Sequence, residues 1–262
     1  TKSKTKNLEE KGAHVAEVPS AVAESSDLII TCVKDADAVK QVLFGKGGVI
    51  SGKHEDMTVA DMSTINPNAA KEISKKLHDE GIKSIEIPVM GGPNVAIDGK
   101  LVLMASGDKQ SFERFSQVFN TIANKTFFLG ESGSAHSIKL AMNLQISLLA
   151  LSLSEGITLT KKAGFDPEKF LEILNSTYFS TGMSQNKAFK MIKDDYQPTF
   201  TLKNMKKDLD TIIASAKDFD AKLPIAERAN EIYRNALDAG FGEIDYTGVL
   251  AYIKKLSETK NL

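Results

Sequence analysis

Several residue types are scarce in this sequence, and each shortage excludes a class of protein. Tryptophan is absent, and Cys32 is the only cysteine. An intramolecular disulfide and a zinc site of the multi-cysteine type are therefore excluded. The four histidines have no metal-ligand spacing, and the 33 Lys and Arg nearly balance the 34 Asp and Glu. This balance gives no indication of nucleic acid or an acidic membrane as partner. We expect a reducing, cytoplasmic location and a small-molecule ligand.

Long apolar runs are also lacking. The most apolar stretch, Leu140 to Leu153, is interrupted by Asn143 and Gln145 and is shorter than a membrane span requires. We interpret it as part of a buried helix and expect no membrane contact. The first residues are polar and lack the apolar core of a secretory signal. The start on Thr1 suggests that a preceding segment is missing from the sequence.

The pattern along the 262 residues predicts two domains. Short apolar segments alternate with helical patterns up to residue 132, which is typical of a doubly wound α/β sheet. We predict strands at Ala13–Val18 and Asp27–Val33, with Cys32 a small buried residue, and expect Leu101–Ala105 to pair antiparallel with its predecessor. Only helical patterns follow. The prediction is a sheet domain over 1–132 and an all-α domain over 133–262, joined by a long helix that begins near Ala135.

Two loops at predicted strand ends carry groups suited to a ligand. Ser63 and Thr64 follow one strand, and ligands of open α/β sheets bind beyond the carboxyl ends of the strands. The structural alternative is that Ser63 or Thr64 caps the helix that begins near Pro67. Gly91 and Gly92 follow another strand, where they would allow close backbone approach to an anion. A glycine pair is equally typical of a simple turn.

Lys139 and Asn143 lie four positions apart and so share one helix face. Most neighbouring positions are apolar, and a lysine in a helix that is apolar nearly all round needs a partner or a purpose. A desolvated lysine has a lowered pKa and can donate or accept a proton. The alternative is that Lys139 extends along the helix to solvent. In the later run Lys206-Lys207-Asp208, the charges are typical of a solvated outer face.

Taken in order, these segments resemble the β-hydroxyacid dehydrogenase family, which includes 3-hydroxyisobutyrate dehydrogenase and the glyoxylate/succinic semialdehyde reductases. The resemblance covers essentially the whole chain. It matches an Asp-x-Ser-Thr motif from Asp61, a Pro-Val-x-Gly-Gly motif from Pro88, a Gly-rich Lys/Asn motif over Gly130–Asn143 and a Lys-Asp-Leu motif from Lys207. It implies a Rossmann-type sheet domain whose first strand and Gly-rich turn would precede Thr1, so we expect this domain to be N-terminally incomplete.

The resemblance also implies roles for single residues. Lys139 would be the general acid and base, and Asn143 would orient the substrate. Ser63, Gly91 and Gly92 would bind the carboxylate of a small hydroxy acid or semialdehyde. The positions that match cofactor contacts are Thr1, Lys4, Val33, Lys34, Thr64 and Lys207. Because Thr1 and Lys4 resemble residues that contact the 2'-phosphate, the cofactor is expected to be NADP or NAD, with a mild preference for NADP.

Three departures and three alternatives accompany the resemblance. Met90 stands where the family usually has Ser, Lys34 replaces the usual Pro, and Ala38 sits where some members have Asn. The expected function is that of a 3-hydroxyisobutyrate dehydrogenase-like enzyme, or else of a glyoxylate/succinic semialdehyde reductase. A protein of another class, a noncatalytic oligomerisation scaffold with the same fold, is the competing hypothesis. Imine reduction, which accompanies replacement of the lysine in related enzymes, ranks lowest. The resemblance further implies a homodimer or homotetramer.

Overall fold

A computed structural model describes residues 2–258, with side chains from residue 4 onward, so that Thr1 lies outside the described residues. The chain forms two compact units. One, here called the sheet unit, runs to Gly91 and includes Asp98–Ser137. The other, the helical unit, comprises Gly92–Ile97 and the chain from Ile138. Each unit has its own core and is described separately.

The sheet unit contains a mixed sheet of six strands. They are β1 Leu28–Thr31, β2 Thr58–Asp61, β3 Lys83–Glu86, β4 Val89–Met90, β5 Leu101–Gly107 and β6 Ala123–Phe128. Strands β1, β2 and β3 are parallel neighbours, and both β3 and β4 pair antiparallel with β5. Strand β6 pairs parallel with β5. The Rossmann-like fold class and the antiparallel pairing of the Leu101 strand are therefore confirmed.

Helices alternate with the strands along this part of the chain. In chain order the helices are α1 Lys2–Glu9, α2 Pro19–Ala23, α3 Ala36–Phe44, α4 Pro67–Asp79, α5 Pro93–Ile97, α6 Lys109–Arg114 and α7 Ser116–Ile122, of which α5 belongs to the helical unit. On α4, Ala70, Ile73 and Leu77 recur at helical spacing and pack with Val59 in one core cluster. Phe119 of α7 belongs to a second cluster. Burial of each large apolar side chain contributes about 1.5–3 kcal/mol.

Two predictions about the start of the sheet unit are wrong. Residues Ala13–Val18 form no strand, and Val15 and Val18 are exposed, because no described strand pairs with this segment. Cys32 is exposed rather than buried. In β1 the side chains alternate, with Thr31 buried and Ile30 41% exposed, so Cys32 falls in the outward phase.

The helical unit contains the remaining helices. They are α8 Ser134–Lys162, α9 Pro167–Asn175, α10 Gly182–Asn186, α11 Ala188–Ile192, α12 Leu202–Asp218, α13 Pro224–Ala236 and α14 Val249–Glu258. Helix α8 begins within the sheet unit and continues in the helical unit from Ile138. Leu140, Leu209 and Tyr233 bring α8, α12 and α13 into one buried cluster. Gly240 has φ of 94°, a left-handed conformation that helps to end the turn after α13.

Helix α8 is the one segment of the described chain that is long and apolar enough to cross a membrane by composition alone. Of its most apolar 18-residue window, 44% is buried inside the protein. Core helices pass the same test of length and composition, so this finding is weak support for membrane insertion.

Candidate active site

The ends of β1 and β2 are joined by the carboxylate of Asp61. Thr31 Oγ1 donates to Asp61 Oδ1 at 2.7 Å, and the Ser63 amide donates to the same oxygen at 3.2 Å. Ser63 Oγ in turn accepts from the Val33 amide at 3.0 Å. Asp61 and Ser63 are 7% and 2% exposed. Two predicted ligand-binding positions, Ser63 and Val33, are therefore in direct contact, and Asp61 holds the loop that carries Ser63.

The alternative that Ser63 or Thr64 caps helix α4 is wrong. The N-cap of α4 is Asn66, whose Oδ1 accepts from the amides of Asn68 at 2.7 Å and Ala69 at 3.4 Å. An Asn immediately before a proline in the first turn serves this purpose without help from the upstream hydroxyls. Ser63 instead bonds to the neighbouring strand end, and Thr64 is half-buried. The helix cap therefore does not explain the presence of either hydroxyl.

The other predicted positions of the sheet unit are more exposed. Lys34 has a side chain that is 79% exposed and forms an ion pair with Asp35 at 3.2 Å. Lys4 lies exposed on α1. Gly91 has φ of 128°, a conformation that L side chains rarely adopt. Gly92, counted with the helical unit, has open space where a Cβ would stand. Both glycines are exposed and accessible to a ligand.

Lys139 of α8 lies half-buried in the helical unit, so it does not extend freely into solvent. The pKa of Lys139 is lowered to about 8. Burial is the largest cause, the carboxylate of Asp208 opposes it, and the charge of Lys207 adds to the lowering. A lysine with a pKa near 8 is largely protonated at neutral pH and still loses its proton readily. This is the property that a general acid and base needs.

Asp208 of α12 connects the other members of this cluster. Asn143 Nδ2 donates to Asp208 Oδ2 at 2.6 Å, and Lys207 Nζ lies 2.5 Å from Oδ1. Asp208 is 1% and Asn143 4% exposed. Burial raises the pKa of Asp208, against the opposing effects of Lys207, Lys139 and Asn143. The predicted residues Lys139, Asn143 and Lys207 thus meet around one buried carboxylate, here called the lysine cluster.

Three functional candidates were not predicted from the sequence. Asp208 was interpreted as solvated, although its place three positions after Met205 and four before Ile212 sets it beside the apolar face of α12. Glu86 and His136 of the sheet unit are 5% and 0% exposed. Burial lowers the pKa of His136, opposed by Glu86 and Asp61. No local pattern identifies these two, because their burial depends on tertiary packing.

Metal chemistry has no support in the described part of the chain. No group of three or more His, Cys, Asp and Glu side chains is placed to hold an ion there. The donor set instead suits an organic anion. In the helical unit, the side chains of Lys139, Lys207 and Asn143 and the exposed backbone of Gly92 can provide hydrogen bonds and positive charge for a carboxylate or phosphate. In the sheet unit, the exposed backbone of Gly91 can donate to an anion.

The known proteins that this chain resembles fit this chemistry. The NAD binding domain of 6-phosphogluconate dehydrogenase matches residues 1–130, and the NAD-binding region of NADP-dependent 3-hydroxyisobutyrate dehydrogenase matches residues 133–253. Glyoxylate/succinic semialdehyde reductase 1 of Arabidopsis thaliana is 32% identical over 254 residues, which are 97% of this chain and 88% of that protein. The chain belongs to the β-hydroxyacid dehydrogenase family. Members of this family are NAD(P)-dependent hydroxyacid dehydrogenases and reductases, as predicted.

Two further relatives show how widely this family fold is used. A 3-hydroxyisobutyrate dehydrogenase from Salmonella typhimurium superimposes with a TM-score of 0.87 at 26% identity, covering 96% of this chain and 88% of that one. The cytokine-like nuclear factor N-PAC of Aedes aegypti is 30% identical over 249 residues. The matched residues are 95% of this chain but 44% of the nuclear factor, so this chain spans less than half of that protein's length.

Proposed function

We propose that this chain is an NAD(P)-dependent oxidoreductase that oxidises a small β-hydroxy acid or reduces a small semialdehyde. Lys139 serves as the general acid and base. The observation that carries the proposal is the lysine cluster, in which burial brings the pKa of Lys139 to about 8 beside buried Asn143 and Asp208. Its cationic and amide donors suit a substrate that bears a carboxylate.

A nicotinamide cofactor contacted by Val33, Lys34 and Thr64 of the sheet unit would supply the hydride for carbonyl reduction. Lys139 in its ammonium form donates a proton to the carbonyl oxygen, and the resulting neutral amine is reprotonated from solvent. In oxidation, neutral Lys139 accepts the hydroxyl proton. Asp208 fixes the amide of Asn143 through the 2.6 Å hydrogen bond, so that Asn143 is oriented before the substrate arrives.

The remaining roles are part of the same proposal. In the sheet unit, Ser63 and Gly91 bind the substrate carboxylate, and Val33, Lys34 and Thr64 contact the cofactor, as do Thr1 and Lys4. In the helical unit, Gly92 binds the carboxylate and Lys207 contacts the cofactor. A preference for NADP over NAD is supported by the NADP-dependent enzyme whose NAD-binding region matches residues 133–253. A cytoplasmic location stays a prediction.

The decisive test is the activity of Lys139→Ala. The unmodified chain is assayed with 3-hydroxyisobutyrate and NADP⁺ or NAD⁺, and with glyoxylate or succinic semialdehyde and NADPH or NADH. We expect Lys139→Ala to lower kcat about 10²- to 10⁴-fold, the usual contribution of general acid–base catalysis. Lys162→Ala, an exposed lysine of the same helix, is the matched control and should keep full activity. Retained turnover in Lys139→Ala, with unchanged circular dichroism, would remove the assignment.

A noncatalytic scaffold is the second candidate, and the similarity to N-PAC, a protein named as a nuclear factor, favours it. The lysine cluster argues against it, because a scaffold needs no half-buried lysine with a lowered pKa. The same assays separate the two hypotheses, since a scaffold turns over none of the substrates with either cofactor.

We also propose that the chain assembles as a homodimer or homotetramer. The support is the apolar surface of α8, where Ile138, Met142 and Leu159 are 46%, 41% and 72% exposed. Light scattering coupled to size exclusion should give two or four times the chain mass of 28.5 kDa. A mass of one chain would contradict this part of the proposal.

A further inference from the structure

Three buried polar atoms of the sheet unit lie close together without a hydrogen bond to any described residue. They are Asp61 Oδ2 and both ring nitrogens of His136. His136 is fully buried, and its Nε2 lies 3.7 Å from Asp61 Oδ2. This separation is too long for a direct hydrogen bond, so a water beside the two atoms is the candidate partner for both. Leaving a buried polar group unsatisfied costs about 1–3 kcal/mol, so three such atoms at one place call for a ligand.

The space beside these atoms has the size of such a ligand. A cavity of about 20 Å³ is lined by Asp61, His136, Glu86 and Ser132, together with apolar side chains of α3, α4 and the sheet. One water needs a volume of about 10–15 Å³ and two or more polar partners. Among the lining residues, Asp61 and Glu86 are the charged ones, and α3 and α4 contribute only neutral side chains.

Glu86 is already satisfied, which leaves Asp61 as the acceptor for this water. Ser106 Oγ donates to Glu86 Oε2 at 2.7 Å, and Ser132 Oγ and the Gly133 amide each donate to Oε1 at 2.5 Å. Asp61 has two donors, Thr31 and Ser63, and both use Oδ1. Oδ2 is therefore buried with no donor among the described residues, although it can accept hydrogen bonds.

We propose that His136 is a positioning residue which, through one trapped water, fixes the free oxygen of Asp61 and thereby holds the ends of β1 and β2 together. Neutral His136 in its Nε2–H tautomer donates to the water, and the water donates to Asp61 Oδ2. With Oδ2 fixed, Oδ1 keeps its orientation toward Thr31 and the Ser63 amide, and Ser63 Oγ keeps its contact with the Val33 amide. Burial, which lowers the pKa of His136, supports the neutral form.

This inference concerns the chain itself, and only its consequence for substrate binding rests on the proposed function. Hydrogen exchange measured by NMR reads the amides of Ser63 and Val33 directly. His136→Phe keeps a ring but removes both nitrogens, and we expect the protection of these two amides to fall about tenfold or more. Thr58→Val is the matched control. It removes a fully buried hydroxyl of β2 that bonds to Ser111 Oγ at 3.2 Å, away from Asp61.

His136→Gln provides the conservative rescue, because its amide can donate to the water, and it should restore most of the protection lost in His136→Phe. Equal loss of protection throughout the sheet unit in His136→Phe, or no loss at Ser63 and Val33, would overturn the proposal. A loss in His136→Phe that His136→Gln does not restore would also overturn it, since it would indicate ring packing alone.

Measurements on the unmodified chain keep the proposal testable if a variant does not fold. Long-range ¹⁵N–¹H spectra should show His136 neutral and protonated at Nε2 from pH 8 to below its ordinary pKa of about 6.5. A crystal structure should place one water within about 3.2 Å of both Asp61 Oδ2 and His136 Nε2. A charged His136 at pH 7, the Nδ1–H tautomer or a cavity without water would each contradict it. If the unmodified chain shows no activity in any assay, the proposed function is wrong. The amide exchange, the NMR spectra of His136 and the crystal structure then still test the role of His136.

Discussion

In the sheet unit, Glu86 accepts hydrogen bonds from Ser106, Ser132 and the Gly133 amide, all of them neutral donors. In the helical unit, the equally buried carboxylate of Asp208 lies beside the ammonium groups of Lys207 and Lys139. Hydroxyl and amide donors do not titrate near neutral pH, so the hydrogen bonds of the first arrangement do not depend on the protonation of their donors. An ammonium group next to a buried carboxylate can give up its proton. The first arrangement therefore suits positioning and the second suits proton transfer.

The pKa shifts agree with this difference. Burial raises the pKa of Asp208 and lowers that of Lys139, so the two values move toward each other. Each shift favours the neutral form of its group, and the attraction between the two charges opposes both. Lys139 is consequently about half protonated near pH 8. Substitutions of Asp208, Glu86 and Ser106 test this difference between the two units.

Asp208→Ala should have the largest effect on stability. It removes the carboxylate that pairs with Lys207 and holds Asn143, and breaking a buried pair costs about 3–5 kcal/mol. Because the Lys207 side chain is 30% exposed, we expect the lower end of this range, about 3 kcal/mol. Urea unfolding measures the change. Lys203→Ala is the control on the same helix, where the pair with Glu243 is 65% and 84% exposed and contributes under about 1 kcal/mol. Equal stability losses in the two variants would contradict the central role of Asp208.

Glu86→Gln should destabilise the sheet unit by a smaller amount, about 2 kcal/mol. The substitution keeps the size of the side chain but replaces one accepting oxygen by a donor, which faces the donors that Glu86 now satisfies. Ser106→Ala removes the bond to Glu86 and the 3.1 Å bond from the Ala135 amide. It should cost about 1 kcal/mol in the same unfolding experiment. A stability loss at Ser106 as large as that at Glu86 would show that the carboxylate is not the centre of this network.

The sequence predicts the elements well where one periodicity dominates. In α4, Ala70, Ile73 and Leu77 share one buried face, and their spacing of three and four residues is visible in the sequence. The alternating segment Ala13–Val18 has a strand pattern too, but it lacks a partner surface, and a pattern cannot provide one. The same reason explains the error at Cys32, whose exposure depends on the position of β1 in the sheet.

The site was predictable only in part. Lys139 and Asn143 share a helix face by spacing alone, and the order of the surrounding motifs identifies their chemistry. The contact between Asn143 and Asp208 joins residues 65 positions apart. His136 and Asp61 lie 75 positions apart in the chain and meet in the core of the sheet unit. Such long-range contacts leave no local trace, which is why the partners of the predicted residues became visible only in the structure.

The pH dependence of turnover tests the assignment of Lys139 most directly. The pKa of about 8 implies that kcat for carbonyl reduction falls as pH rises through 8, because the proton donor is lost. The kcat for oxidation of the hydroxy acid should rise over the same range, because the base is then free. Asp208→Asn removes the charge that raises the pKa of Lys139 and should move both midpoints to lower pH. Profiles that are flat between pH 6.5 and 9.5, or that change in the same direction for both reactions, would contradict proton transfer by Lys139.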